Sequence, residues 1–437
     1  MRQPCRVADR PPTAALLLVT LLVTALLSAA CGSRLPESDF TARPPAPTTG
    51  AGEPIRIGLI TGATSPVGGG ALTGPRDGAL AYFAALNARG GIGGRRVEAI
   101  TCDDGGSGIG NNQCVHELVD RKHVFALVAT TALDYAGAAR VSRAGVPDIG
   151  GQPLGPAYDT YPHLYGIYGS SAPRTGDEPG WNGVLTGGTE VYRWFRHELG
   201  ARTAAVVSYN QAASAAYARL VTDGLRKEGY RVVTEQVDFA LPNYRAVAAD
   251  LREQDVDLVF DALDTHGNAQ LCAAMDAVGA TVTAKVTNVQ NWNQAVPRDF
   301  KDAPRCRNAL WVTGASRNHD ERADPAVREF RDAMKGRPLS QWALEGWAAA
   351  MWFTDAATSC APAGLTRACV ERFVNRAEPY TARGLLLPVR FERLPEPPTT
   401  RHTCLSVARW QDGRGWVTQG GDMYRNCATV PQLPYRP

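Results

Sequence analysis

The chain has 437 residues, of which 44% are hydrophobic and 20% are charged, and its formal net charge is +3. That length is enough for two or three domains with a sizeable core. The nearly balanced charge and the ordinary content of Gly and Pro exclude a disordered tail, a polytopic membrane protein and a basic nucleic-acid binder.

The first segment has the order of a secretory signal. Three arginines precede an apolar run over residues 14–27, and small residues then lead to Cys31. The run is shorter than the roughly 20 residues of a membrane-spanning helix, although a retained anchor and plain secretion are the alternatives. The residues before Cys31 resemble a bacterial lipobox without its usual Leu. We therefore predict a signal peptide over 1–30, a lipid on Cys31 and a flexible tether over 31–53.

The remaining cysteines indicate disulfides in an exported protein. Eight are left once the signal peptide is removed and Cys31 is modified, and an even number in an exported chain favours bridges. Their grouping suggests four neighbouring pairs: Cys102 with Cys114, Cys272 with Cys306, Cys360 with Cys369, and Cys404 with Cys427. A zinc site is the alternative, but no pair has CxxC spacing and the His residues are scattered. We expect no metal or cofactor.

From residue 54 onward, short apolar runs alternate with amphipathic helices in two series. The first series predicts strands at 55–60, 96–101, 124–130 and 146–149, with helices at 75–89, 112–122 and 132–144. The second predicts strands at 203–209, 231–237, 257–263 and 285–289, with helices at 184–199, 215–228, 244–253 and 268–278. Repeated βα units predict parallel sheets covered by helices on both faces, and two equal series predict two lobes.

The last part of the chain is predicted to hold a strand, three helices and a β tail. The strand is at 309–313 and the helices are at 325–334, 341–358 and 366–375. The middle helix carries apolar residues around most of its circumference, which favours a deeply buried helix over a cofactor site. The segments 385–391 and 404–417 are predicted as strands, with Asp412 and Gly413 marking a hairpin turn.

Four segments carry a family resemblance by their order and spacing: Gly90–Asp104, Ala144–Pro147, Gly224–Val233 and Ala343–Ala350. Together they are similar to the type 1 periplasmic substrate-binding proteins of the Leu/Ile/Val-binding family, over about residues 54–391. The resemblance implies an α/β fold of two doubly wound parallel-sheet lobes joined by three hinge crossovers, with a ligand cleft between them. It assigns 54–168 with 318–378 to lobe I, and 169–317 with 379–431 to lobe II.

Two threonines are the first candidates for ligand contact. In wound sheets, ligands bind beyond the carboxyl ends of strands and next to helix N-termini. Thr130 and Thr131 lie at such a junction, where free N–H groups favour a carboxylate and a hydroxyl adds a donor. In the family this position carries a Ser or Thr that holds the ligand carboxylate, and Thr131 is the best match. Ordinary helix capping is the alternative.

Three further residues stand near family contact positions. Gln152 follows the fourth strand, Asp264 is a partner for an ammonium group or a helix cap, and Trp292 either replaces a lost aromatic ring or packs in the core. Leu154 and the segment 210–214 depart from the family pattern, so the resemblance does not carry over a specificity for amino acids.

These observations predict a monomeric, lipid-anchored solute-binding protein on the extracytoplasmic face of the cell membrane. Its partners would be a small polar ligand (an amino acid, an amide or a related carboxylate) and, by the resemblance, an ABC permease, with no nucleic acid. A ligand-sensing receptor module is the alternative. No catalytic motif occurs in a supporting context, so we do not expect an enzyme.

Overall fold

The computed structural model describes residues 52–437. The predicted signal peptide, the lipidation site Cys31 and most of the tether lie outside these residues. Within the described range, no helix is long and apolar enough to cross a bilayer.

The first sheet has five parallel strands in the order β2-β1-β3-β4-β5. These strands are β1 (Ile55–Thr61), β2 (Val97–Asp103), β3 (Ala126–Val128), β4 (Asp148–Gly151) and β5 (Leu164–Gly166). The helices between them are α1 (Gly69–Leu72), α2 (Gly74–Ala88), α3 (Gly108–Val115), which continues as a π-helical turn over His116–Arg121, and α4 (Ala138–Arg143). The interior strand β1 is buried except at Arg56, which matches its almost continuous apolar sequence.

The second sheet has seven strands in the order β14-β13-β11-β10-β9-β7-β8. These are β7 (Thr203–Tyr209), β8 (Arg231–Val237), β9 (Leu258–Ala262), β10 (Ala284–Val286), β11 (Leu310–Gly314), β13 (Ser406–Gln411) and β14 (Gly415–Gln419). The helices of this region are α5 (Glu190–Glu198), α6 (Ala212–Lys227), α7 (Tyr244–Glu253), α8 (Thr265–Val278), α9 (Val296–Asp299) and α10 (Pro304–Arg307). The hairpin β13–β14 is antiparallel and turns at the predicted Asp412 and Gly413.

Three late helices return to the first sheet: α11 (Pro325–Ala333), α12 (Gln341–Cys360) and α13 (Arg367–Val374). The prediction that the tryptophan-rich helix is deeply buried is confirmed, because α12 is buried along most of its length. It packs unusually close to α2: a Cβ atom at Gly78 would overlap the carbonyl oxygen of Ala343, and one at Gly346 would overlap that of Pro75. Glycine is therefore required at both positions.

A small antiparallel sheet was not predicted. It joins β6 (Leu185–Gly188), β12 (Thr400–Cys404) and β15 (Cys427–Tyr435) in the order β12-β15-β6. The prediction of one helix over 184–199 is wrong in its first part, because residues 185–188 pair with β15 and the helix starts only at Glu190. The predicted strand at 385–391 is also wrong, since that segment forms only single bridges to other segments.

Three crossovers connect the two sheets and lie side by side. The third passes between the other two, because Phe391 bridges to Ser170 of the first crossover and Leu386 bridges to Ser316 of the second. This is the predicted arrangement of two wound lobes with three crossovers. The apolar core on the first sheet extends to Val389, beyond the predicted lobe boundary at residue 378.

Four disulfides join the predicted sequence neighbours. The bonded pairs are Cys102 with Cys114, Cys272 with Cys306, Cys360 with Cys369, and Cys404 with Cys427. Each bridge joins two elements of the same region of the chain, and none of these four links the first sheet to the second.

Candidate ligand-binding site

A cavity of about 890 Å³ lies at the carboxyl ends of β9, β10 and β11. Asp261, Thr287 and Thr313 line it from the strand ends, and all three crossovers contribute, with Tyr168 from the first and Leu387 from the third. Its volume is in the range of about 300–1,000 Å³ that is typical of pockets for small molecules. Position and size together make this cavity a candidate ligand site.

A second cavity, of about 580 Å³, shows that the carboxyl edges of the two sheets face each other. One side is formed by residues 68–77, which follow β1, and the other by residues 289–299, which follow β10. A Cβ atom at Gly68 would lie 3.3 Å from the side-chain amide of Gln290. The cleft between the sheets is therefore narrow here.

The two threonine candidates are buried and already have internal partners. The Thr130 hydroxyl donates to Oδ1 of Asp148 at 3.0 Å, and the Thr131 hydroxyl donates to the carbonyl oxygen of Ala129 at 3.2 Å. Tyr135 and Tyr158 also donate to Asp148, at 2.7 and 2.8 Å. Burial raises the pKa of Asp148 to about 6, although these three hydroxyl donors oppose the shift.

Gln152 belongs to a buried hydrogen-bond network centred on Glu345, a residue that sequence reasoning missed. Oε2 of Glu345 accepts from Gln152 at 2.8 Å and from the Tyr168 hydroxyl at 3.0 Å, while Oε1 accepts from Ser316 at 2.6 Å. Burial raises the pKa of Glu345, and these donors oppose the rise. The network joins β4 and α12 to two of the crossovers, and it holds the Tyr168 ring against the 890 Å³ cavity.

Asp264 serves as the N-cap of α8. Its side chain accepts from the Gly267 N–H at 2.8 Å and from the Tyr209 hydroxyl at 2.9 Å. Trp292 is fully buried in the core of the second sheet, where its ring lies 6.4 Å from that of Trp416. Its indole nitrogen donates to Asn318 at 3.2 Å. In this structure Asp264 therefore acts as a helix cap, and Trp292 packs in the core.

None of the five predicted ligand residues lines the 890 Å³ cavity. Four of them directly follow the carboxyl ends of β3, β4 and β9: Thr130, Thr131, Gln152 and Asp264. Ligand contact by Thr130, Thr131, Gln152, Asp264 and Trp292 stays a prediction.

A fully buried ion pair lies behind the cavity wall. Nζ of Lys285 is 2.6 Å from Oδ2 of Asp261, and neither side chain has any exposed surface. Asn268 donates to Asp261 at 2.7 Å and also accepts from Lys285, while Thr287 donates to Asn268 at 3.0 Å. The negative charge of Asp261 is therefore neutralised within the protein.

One group among the described residues has the composition of a metal site: His402, Cys404 and Cys427. The two cysteines are bonded to each other, so their sulfur atoms are not available as thiolate ligands.

The fold and the position of the cavity define a two-lobed α/β binding protein. The chain belongs to the periplasmic binding protein family, whose model matches residues 54–414. A search of curated proteins finds no match.

Several solved structures have the same fold. A leucine-binding protein from Thermotoga maritima has a TM-score of 0.63 at 14% identity, covering 86% of this chain and 99% of that one. A fatty acid ABC transporter substrate-binding protein from Thermomonospora curvata has a TM-score of 0.62 at 15% identity. The match covers 90% of this chain and 94% of that one. A solute-binding protein of an ABC transporter from R. palustris, in complex with benzoate, has a TM-score of 0.59 at 13% identity. The match covers 87% of this chain and 97% of that one. These similarities confirm the predicted type 1 periplasmic binding protein fold.

Proposed function

We propose that this protein is a lipid-anchored, monomeric solute-binding protein without catalytic activity of its own. It would capture a small polar ligand, such as an amino acid, an amide or a related carboxylate, and deliver it to an ABC permease. The observation that carries the proposal is the 890 Å³ cavity, which all three crossovers line at the carboxyl edge of the second sheet. The solved relatives that bind leucine, fatty acids and benzoate support the proposed ligand class only as broadly as small organic molecules.

Exposed apolar side chains support closure of the cleft. The large hydrophobic residues with high exposure in the described range all follow the carboxyl ends of strands: Val67, Ile109, Tyr168, Tyr217, Phe239 and Leu241. Both facing edges therefore present apolar surface to solvent in this conformation, and closure would bury part of it. A ligand held by both lobes stabilises the closed state by its higher affinity for that state.

A ligand screen tests binding and closure together. The purified full-length protein is heated with single amino acids, amides and small carboxylates, and a true ligand raises the melting temperature by mass action. The same ligand is expected to lower the radius of gyration measured by small-angle X-ray scattering. If no compound of these classes changes either quantity, the proposed ligand class is wrong.

The lipid anchor is tested by Cys31→Ser. Because the thioether to diacylglycerol needs the Cys31 sulfur, the variant is expected to lose labelling by radioactive fatty acid and to leave the membrane fraction. Cys5→Ser is the matched control, since it changes a cysteine inside the predicted signal peptide and should keep both label and membrane association. Membrane retention of Cys31→Ser, together with no lipid label on the wild type, would contradict the anchor.

A further inference from the structure

The walls of the 890 Å³ cavity are rich in aromatic rings. Tyr168, Tyr192, Tyr217 and Phe260 all line it. The Tyr192 ring packs edge-to-face on Phe260 with 5.2 Å between centroids, and Tyr217 keeps 54% of its surface exposed. Aromatic rings in a cavity wall offer both apolar contact and π faces to a bound molecule.

Glu190, at the start of α5, brings a negative charge to the same cavity. Its Oε2 atom is shielded from solvent and has no hydrogen-bond partner among the described residues. Burial raises the pKa of Glu190, and a hydrogen bond from its own backbone N–H and the Arg401 charge oppose this rise only in part. A buried carboxylate in this situation gains stability from any donor or cation that enters the cavity.

The other charges that line the cavity are either neutralised within the protein or exposed to solvent. Asp261 is neutralised by Lys285, as described above. The basic residues Arg390, Arg401 and His402 are exposed, so water weakens their effect on the cavity, although the Arg401 charge still acts on Glu190. The Glu190 carboxylate therefore favours a positive ligand group.

We infer that the ligand is an organic cation: an amine with an aromatic or otherwise apolar body. This inference rests on the proposed solute-binding function, and it goes beyond the amino acids, amides and carboxylates named there, because an amine needs no carboxyl group. The ammonium group binds at Glu190, and the body packs among the four rings. The ligand needs no carboxylate, because the cationic side chains of this cavity are exposed to solvent.

The test compares two probes that share one apolar body, phenethylamine and hydrocinnamate. Binding to the purified full-length protein is measured by calorimetry and by thermal shift. Phenethylamine is expected to bind and to raise the melting temperature, whereas hydrocinnamate, which carries a carboxylate in place of the amine, is not. Binding of hydrocinnamate at equal or higher affinity overturns the inference.

Variants locate the site. Glu190→Gln is expected to weaken phenethylamine binding about ten- to a hundredfold, the loss of one charge-assisted contact. Glu392→Gln removes an exposed carboxylate from the same cavity and should leave the affinity within about twofold. Tyr217→Leu, at an exposed ring, should weaken binding several-fold by removing a π face.

The outcomes separate this inference from the function on which it rests. If leucine or another amino acid binds and phenethylamine does not, the inference is wrong and the solute-binding function stands. If Glu190→Gln binds phenethylamine as tightly as the wild type, the assignment of the cation site is wrong. If neither the probes nor the wider panel bind, both proposals fail.

Discussion

Lys285→Met is expected to lower the free energy of unfolding by about 3–5 kcal/mol. Lys285 and Asp261 form an ion pair with no exposed surface on either side chain. Methionine keeps most of the length of the lysine but removes its charge, so the Asp261 carboxylate stays buried without a counter-ion. The cost is large because the remaining charge keeps its desolvation penalty and loses the attraction that offset it.

An exposed pair on parallel strands provides the matched control. Arg56 on β1 lies 3.4 Å from Glu98 on β2, and the two side chains are 53% and 50% exposed. Arg56→Met also removes the positive charge of an ion pair, but at a solvent-exposed position. It should lower the free energy of unfolding by less than about 1 kcal/mol. Urea unfolding followed by tryptophan fluorescence measures both variants.

A double variant separates the orphaned charge from lost packing. Lys285→Met combined with Asp261→Asn removes both charges, so it should recover part of the stability that Lys285→Met alone loses. If Lys285→Met costs no more than Arg56→Met, the ion pair does not have the structural importance that its burial indicates.

The sequence predicted the fold well wherever one periodicity extends over a whole element. The strand at Ile55–Thr61 is almost continuously apolar, as an interior parallel strand must be. The helix Gln341–Cys360 is apolar around most of its circumference and is buried along most of its length. Two of the disulfides could be paired because their cysteines are only 12 and 9 residues apart, so that the chain itself brings them together: Cys102 with Cys114 and Cys360 with Cys369.

The small antiparallel sheet could not be predicted because its strands carry weak signals. The strand Leu185–Gly188 ends in two glycines, and Cys427–Tyr435 contains two prolines. Glycine and proline both lower strand propensity, and these strands form through pairing between distant parts of the chain. Tertiary context decided the structure here.

The sequence predicts ligand residues at the carboxyl edges of the sheets, but none of the five predicted side chains lines the 890 Å³ cavity. Strand order fixes which ends meet, and this placed Thr130 and Asp264 at the facing edges. Whether a side chain faces the cavity or the core depends on packing, which is not visible in periodicity. Tyr192 and Glu190 both line the cavity, but nothing in the periodicity of the predicted helix at 184–199 distinguishes them from the other residues of that helix.

The second large effect concerns pH: ionisation of Asp148 should lower stability by about 3 kcal/mol as the pH rises from about 4 to about 6. Burial raises the pKa of this carboxyl from 3.8 to about 6 in the folded protein, and each pKa unit corresponds to about 1.4 kcal/mol. Asp148 has hydroxyl donors but forms no ion pair within the described part of the chain.

The direction of this pH dependence follows from whether the folded or the unfolded state holds the proton on Asp148. Between the two pKa values the folded protein binds a proton on Asp148 and the unfolded chain does not, so stability falls as pH rises. The stabilising contribution is complete below about pH 4 and lost above about pH 6. Burial also raises the pKa values of Glu190 and Glu345, so they add slopes of the same sign.

Comparison with Asp148→Asn isolates the contribution of this one carboxyl. The amide does not titrate. Between pH 4 and pH 6 the free energy of unfolding of the variant should therefore fall by about 3 kcal/mol less than that of the wild type.

Asp103→Asn is the control of opposite sign, because hydrogen bonds from Gly105 and Thr64 outweigh desolvation and lower the pKa of Asp103. Its carboxylate stabilises the fold above the unfolded pKa and loses this effect as pH falls, so its removal should not flatten the slope between pH 4 and pH 6. Urea midpoints at half-unit intervals of pH measure all three proteins, and an Asp148→Asn slope equal to that of the wild type would show that Asp148 titrates normally in the folded state.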